Sequence, residues 1–193
     1  MFAEHNPTRH DRESVTDAAL RLLDEVGLPD LSMRRLAAEL GVQPSALYWH
    51  FESKQALLAA VADRILARVG TIEPTSGSAE PVLATARAIR DALFTYRDGA
   101  EVVMSSYALG LGADQAREHL VAALGDDGAD AESAATVLLQ FILGHALLVQ
   151  QRMHAESHGA AGATDAADAS APWDSAFDLG IRAFSASLRD SPR

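Results

Sequence analysis

The chain has 193 residues, 48% of them hydrophobic, and 27 Asp and Glu against 16 Lys and Arg give a formal net charge of -11. That apolar content suffices for one large domain or for a small head and a larger body, and the absence of cysteine excludes disulfides and thiolate metal sites. No apolar segment long enough to span a bilayer and no charged-then-apolar leader is expected, which points to the cytoplasm. Apolar residues recur at helical rather than alternating spacing, so the expected class is all-α.

Met1 to His10 reads as a short polar arm without a helical stripe, whose Arg9 can reach phosphates or a minor groove or simply fray. Asp11 is placed to cap a first helix to about Val26, with Val15, Ala18, Ala19, Leu22, Leu23 and Val26 on one side and Gly27 as its stop. Leu28 and Leu31 follow as packing residues.

The stretch from Ser32 to Lys54, SMRRLAAELGVQPSALYWHFESK, organises the rest. Ser32 caps a helix with the stripe Met33, Leu36, Ala37 and Leu40, Gly41 ends it, and Val42 turns the chain inward. Pro44 then starts a second short helix that Ser45 to His50 complete, which is helix-turn-helix spacing. Ala46, Leu47 and Phe51 suffice to anchor it. Gln43, Ser45, Tyr48, Trp49 and His50 therefore face outward, and such side chains suit a duplex major groove: Gln and Arg34 read base edges, while Tyr, Ser, His and Lys reach phosphates. Ser53 caps a fourth helix, and Lys54 in its positive first turn is at odds with the helix dipole until a phosphate binds there. Leu57, Leu58, Val61, Ile65 and Val69 carry this helix inward as a lever.

Acidity does not contradict a DNA face. Up to Val69 there are eight Lys and Arg against ten Asp and Glu, whereas beyond it there are eight against seventeen. Local positive charge beside a repelling body favours one binding face over loose coating of DNA. The expected boundaries are an arm at 1–10, a DNA-binding unit at 11–69, a Gly/Pro/Ser/Thr linker at 70–80 and a body at 81–193.

In the body, Pro81 starts a helix to about Arg97, broken by Asp98 and Gly99, and a shorter helix spans Glu101 to Leu109. Asp114 is expected to cap another to Leu124, before the turn GDDGAD. Ala131 to about Met153 is apolar nearly all round and must be covered on more than one side. Ala171 to Arg189 carries a stripe of Trp173, Phe177, Ile181, Phe184 and Leu188 beside small residues Ala176, Gly180, Ala183 and Ser187. These two helices are predicted to make a four-helix interface with the same pair of a second copy, closure of the monomer core being the alternative. Between them, Ser157 to Ala171 has no stripe and reads as an unstructured segment or a flap.

The run LSMRRLAAELGVQPSALYWHFESKQALLAAVADRIL resembles the DNA-binding head of the tetracycline-repressor (TetR) family, densely from Asp11 to Val69 and with later echoes in YRDGA and FILG. The resemblance implies an all-helical homodimer, an operator reader using Ser32, Arg34, Gln43, Pro44, Ser45, Tyr48, Trp49, His50 and Lys54, and a small-molecule pocket in the larger C-terminal domain. In tetracycline-binding members a magnesium is held by a histidine after the RDGA-like turn and a carboxylate on the long helix, but the matching positions here are Val103 and Leu148, and a further fourth-helix histidine is replaced by Gly70. Valine and leucine cannot ligate a divalent ion, so no metal or other cofactor is expected. Thr85, Ile89, Val103, Ser106, Tyr107, Gln140 and His145 are left facing the implied cavity, which suits a mostly apolar effector held by a few hydrogen bonds.

Other chemistries have little to build on. His154, Glu156 and His158 lie where a helix enters a Gly/Ala loop and lack a third rigid ligand, and Ser105 or Ser106 with His145 has no nucleophile turn, P-loop or Rossmann glycines around it. No enzyme and no membrane partner is expected. The reading is a ligand-responsive repressor, with a constitutive DNA-binding dimer or a ligand-binding helical protein with a vestigial head as the alternatives.

Overall fold

The computed structural model describes residues 10–70, 79–125, 129–157 and 166–189, and among these are nine α-helices and no strand. The arm before residue 10, most of the linker (71–78), the turn at 126–128, His158 and residues 159–165 of the loop lie outside the described residues.

Local capping chemistry sets the head. Helix α1 (Arg12–Val26) opens with a reciprocal box, in which Ser14 N–H donates to Asp11 Oδ1 at 2.8 Å and Asp11 N–H to Ser14 Oγ at 2.9 Å. These bonds hold the Asp11 carboxyl below its usual range. Gly27, at φ +82°, closes the helix with its N–H on Leu23 O. Helix α2 (Met33–Glu39) is capped by Ser32 Oγ, and α4 (Lys54–Leu66) by Ser53 Oγ, which accepts from Ala56 N–H at 3.0 Å. Between them α3 is shorter than expected: Pro44–Leu47 are helical, and Tyr48 to His50 form turns in which His50 and Phe51 N–H both donate to Leu47 O. Val69 is buried but lies past the end of α4.

The body comprises α5 (Glu80–Leu93), α6 (Gly99–Ala108), α7 (Asp114–Leu124), α8 (Ala129–Ser157) and α9 (Ala166–Arg189). Several boundaries depart from the sequence expectation, among them α6, which starts at Gly99 rather than Glu101, and α8, which runs on to Ser157 rather than about Met153. Helix α5 stops at Leu93 rather than Arg97, and the return to α6 is so tight that a Cβ on Gly99 would meet Leu93 O at 2.5 Å. Asp114 is not a cap; Ala113 holds that position at φ +72°. Helix α9 begins at Ala166, so the second part of the segment expected to be unstructured is helical.

One hydrophobic cluster runs through the molecule, from Leu23, Leu36, Leu47, Phe51 and Ile65 to Leu93, Val103, Leu139, Ile142, Phe177 and Ile181. Each such side chain contributes about 1.5–3 kcal/mol when fully buried, so head and body share their main source of stability across the α4–α6 contact. By length and composition α8 is apolar enough to cross a membrane, contrary to expectation. It packs against α5, α6, α7 and α9, as the central helix of a helical body does. Helix α9 runs antiparallel to α5, held by Phe177 and Ile181 and by ion pairs Arg182–Glu80, Arg87–Asp178 and Arg90–Asp174. The Arg87 guanidinium keeps the Asp178 carboxyl below its usual range.

Candidate nucleic-acid interface

Leu47 and Phe51 are each 1% exposed and pin α3 to the head from below. Around those two inward positions other side chains of residues 43–50 are left open: Gln43 and Ser45 are exposed, Tyr48 is 52% exposed and Trp49 90% exposed, while Pro44 and His50 are half-buried. An indole left this open to water has no folding role, because burial is what stabilises it. Arg34 and Arg35 stand exposed on α2, Ser32 is exposed at its start, and Lys54 is half-buried in the first turn of α4. The residues expected to contact DNA between Ser32 and Lys54 thus lie on the α2–α3–α4 segment, whereas Arg9 falls outside the described residues.

Polar latches that the sequence did not signal tie this head to the body near both ends of α6, and Asp24 of α1 adds a bond beside the first by accepting the Arg97 N–H at 3.0 Å. At the first, Asp98, 5% exposed and at φ +55°, accepts the Leu28 N–H at 2.7 Å with Oδ2, and His154 Nε2 of α8 lies 3.4 Å from its Oδ1. Gln150 of α8 braces the same turn, accepting from Ala100 N–H at 3.1 Å and donating to Tyr96 O. At the second, Asp63 of α4 accepts the Ala113 N–H at 3.2 Å. Asp98 and Ala113 are the two non-glycine residues with positive φ among the described residues, a conformation that costs roughly 1–2 kcal/mol and persists where the surroundings fix it. The strained backbone therefore coincides with the head–body junctions.

The residues assigned to an effector pocket divide. Thr85 and Ile89 on α5 and Val103 and Ser106 on α6 are buried, and the Thr85 and Ser106 hydroxyls have no hydrogen-bond partner. Tyr107 is half-buried, and Gln140 is exposed on α8. His145 is half-buried in an aromatic cluster between α8 and α9, with ring centroids 4.8 Å from Phe177, 6.2 Å from Trp173 and 6.4 Å from Phe141. Burial, reinforced by the nearby Arg90 charge, lowers its affinity for a proton below that of ordinary imidazole. Among the described residues no group of three His, Cys, Asp or Glu is placed to hold a metal ion.

The α8 and α9 stripes also divide. Phe177 and Ile181 are fully buried within the chain, whereas Val137, Phe141, Leu148 and Leu179 are 40–70% exposed, and Ala176 and Ala183 are exposed beside them. Gly180 sits under the Phe141 ring, where a Cβ would meet Cζ at 2.5 Å.

A short helix pinned by two buried side chains, presenting polar and aromatic tips after a glycine turn and carried on a larger helical body, defines a helix-turn-helix protein with a helical C-terminal domain. A family model described as bacterial regulatory proteins, tetR family, matches residues 15–61, and a second, tetracyclin repressor-like, C-terminal domain, matches residues 73–177. The chain belongs to the tetR family of regulatory proteins.

Among its relatives, the tetracycline repressor protein class D of Escherichia coli is 46% identical over 97 residues, which span 49% of this chain and 44% of that protein. The chain thus matches under half the length of that relative. Solved structures align more fully. BioQ of Mycobacterium smegmatis is 36% identical at a TM-score of 0.77, covering 93% of this chain and 98% of its own, and a BioQ bound to its double-stranded DNA operator is 35% identical at 0.75, covering 95% and 100%. The TetR-Q116A protein of Acinetobacter baumannii AYE, in complex with minocycline, is 31% identical at 0.73, covering 95% and 100%.

Proposed function

We propose that this chain is a ligand-responsive transcriptional repressor that acts in the cytoplasm as a homodimer, reads operator DNA with residues 43–50 and leaves it when a small organic molecule enters the body. The observation that carries the reading is the outward row over residues 43–50, above all the 90% exposed Trp49 beside Tyr48, between the buried Leu47 and Phe51 anchors. Arg34 reads a base edge in it, and Ser32, Pro44, Lys54 and the flanks of α3 set register on the phosphates. Residues 11–69 form the DNA-binding unit, 70–80 the linker and 81–193 the effector-binding and dimerisation unit.

Two further features support the reading. The exposed apolar patch of Val137, Phe141, Leu148 and Leu179 beside small residues suits self-complementary burial against a second copy. The buried, unpartnered hydroxyls of Thr85 and Ser106, with Ile89 and Val103, suit a neutral and mostly apolar effector that supplies the missing hydrogen bonds. Tyr107, Gln140 and His145 stand at the margins of that region. The relatives bound to an operator and to minocycline act as precedents for both ligands.

In a dimer the two reader helices must meet half-sites about 34–36 Å apart. Effector binding between α5 and α6 shifts α6, and the Asp98 and Asp63 latches at its ends pass that shift to the α1–α2 turn and to α4. DNA and effector then weaken one another by the same coupling energy. The reading requires no catalytic step and no metal. Selection from a random duplex pool tests it: enrichment of a two-fold symmetric sequence is expected, and failure to enrich any sequence contradicts it.

A further inference from the structure

We infer that Arg12 is a positioning residue for the reader segment: its guanidinium clamps the turn that follows α3 and sets the angle at which residues 43–50 are displayed, without itself touching DNA. The inference rests on the DNA-reading function proposed above.

A helix of four residues cannot hold its own direction, since one turn fixes several dihedrals for a single hydrogen bond. Nothing at its start compensates, because Gln43 makes no side-chain cap bond. At its exit, Leu47 O accepts from both His50 and Phe51 N–H. Arg12 Nη1 donates to His50 O at 2.6 Å, from 38 residues away in the chain. The same guanidinium lies over the Phe51 ring, 4.2 Å from its centroid, and so covers the buried anchor of the segment. In-plane donation and face stacking together restrain the turn in two directions, which the planar, delocalised guanidinium does and an ammonium does not. Arg12 is the first residue of α1, whose start is locked by the Asp11–Ser14 box, so the clamp transmits the rigidity of a 15-residue helix to a four-residue one.

The guanidinium thus has one edge on His50 O and one face on Phe51, while the side chain as a whole stays exposed.

The test uses the full chain as wild type and as Arg12→Ala, Arg12→Met and Arg12→Lys. Hydrogen exchange without DNA and affinity for the duplex selected by the wild type are both measured, the latter across a salt series. Arg12→Ala is expected to speed exchange in residues 43–51 about tenfold and to weaken every base-pair variant of the duplex by about the same factor, the scale of one hydrogen bond to a charged group. Its salt slope should equal that of the wild type. Arg12→Met keeps the apolar cover on Phe51 and guards against loss of folding; it should reproduce the exchange change with an unaltered melting temperature, and Arg12→Lys should recover part of the affinity. A salt slope lowered by about one in Arg12→Ala would make Arg12 a phosphate contact and overturn the inference, as would unchanged exchange in 43–51. If the wild type selects no duplex, the DNA-reading function fails by itself, and the exchange data still decide whether the clamp exists.

Discussion

Asp98 offers the sharpest separation of terms, because one residue combines an acceptor, a charge and a strained backbone. Its Oδ2 accepts the Leu28 N–H at 2.7 Å from a position at φ +55°. Asp98→Asn keeps an acceptor and tolerates left-handed angles, so it loses only the charge assistance, about 1 kcal/mol. Asp98→Gly leaves the Leu28 N–H without its partner but relieves the backbone, for a net loss of about 2 kcal/mol. Asp98→Ala loses the bond and retains the strain, about 3 kcal/mol. At about 2–4 °C per kcal/mol for a chain of this size, the alanine variant should melt about 6–12 °C below the wild type. Urea and thermal denaturation give the order, and hydrogen exchange at residues 27–31 shows where the loss acts. Equal destabilisation by alanine and asparagine, or unchanged exchange at the α1–α2 turn, would refute the latch.

Leu22, 4% exposed on α1, packs the head without facing DNA, so Leu22→Ala should lose about 2–5 kcal/mol in denaturant melts rather than alter base preference. Arg34→Ala should weaken binding at one operator base pair, whereas Lys54→Ala should weaken all sequences alike and flatten the salt slope; equal loss on every sequence for Arg34→Ala would remove its base-reading role. Gly180→Leu should push Phe141 outward and lower the dimer fraction in sedimentation, with the wild type dimeric at the same concentration. The folded chain holds His145 below its ordinary value of 6.5. The unfolded chain therefore takes up the proton first, so His145 contributes a loss of stability as pH falls below about 6.5, ending once the folded-state value is passed. His145→Gln should flatten that part of the pH–stability curve in thermal melts.

Caps were legible because their chemistry is local. Asp11, Ser32 and Ser53 each bond a backbone N–H three residues away, and Gly27 and Gly41 take positive φ where a helix ends. Asp114 misled for the opposite reason: its turn is organised from a distance, by Asp63 on the Ala113 N–H, fifty residues away in sequence. The same holds for Asp98 with Leu28, Gln150 with Ala100 and Arg12 with His50, none of which lies within one element. A lone Asp before Gly99 in a turn was the one available hint, since Asp is among the few residues that accept left-handed angles. The helical stripe of α9 showed that it must be covered, but not that Phe177 and Ile181 would turn into the chain while Ala176 and Ala183 beside them stayed exposed. Stripe width distinguishes these only once the crossing angle with α8 is known.

The central claim is that residues 43–50 meet duplex DNA directly. Affinity for the selected duplex, measured for the wild type and for Tyr48→Ala combined with Trp49→Ala, decides it. Both side chains are more than half exposed, so the variant should keep its melting temperature and lose about a hundredfold in affinity. Unchanged affinity in a fully folded variant would place the reading surface elsewhere.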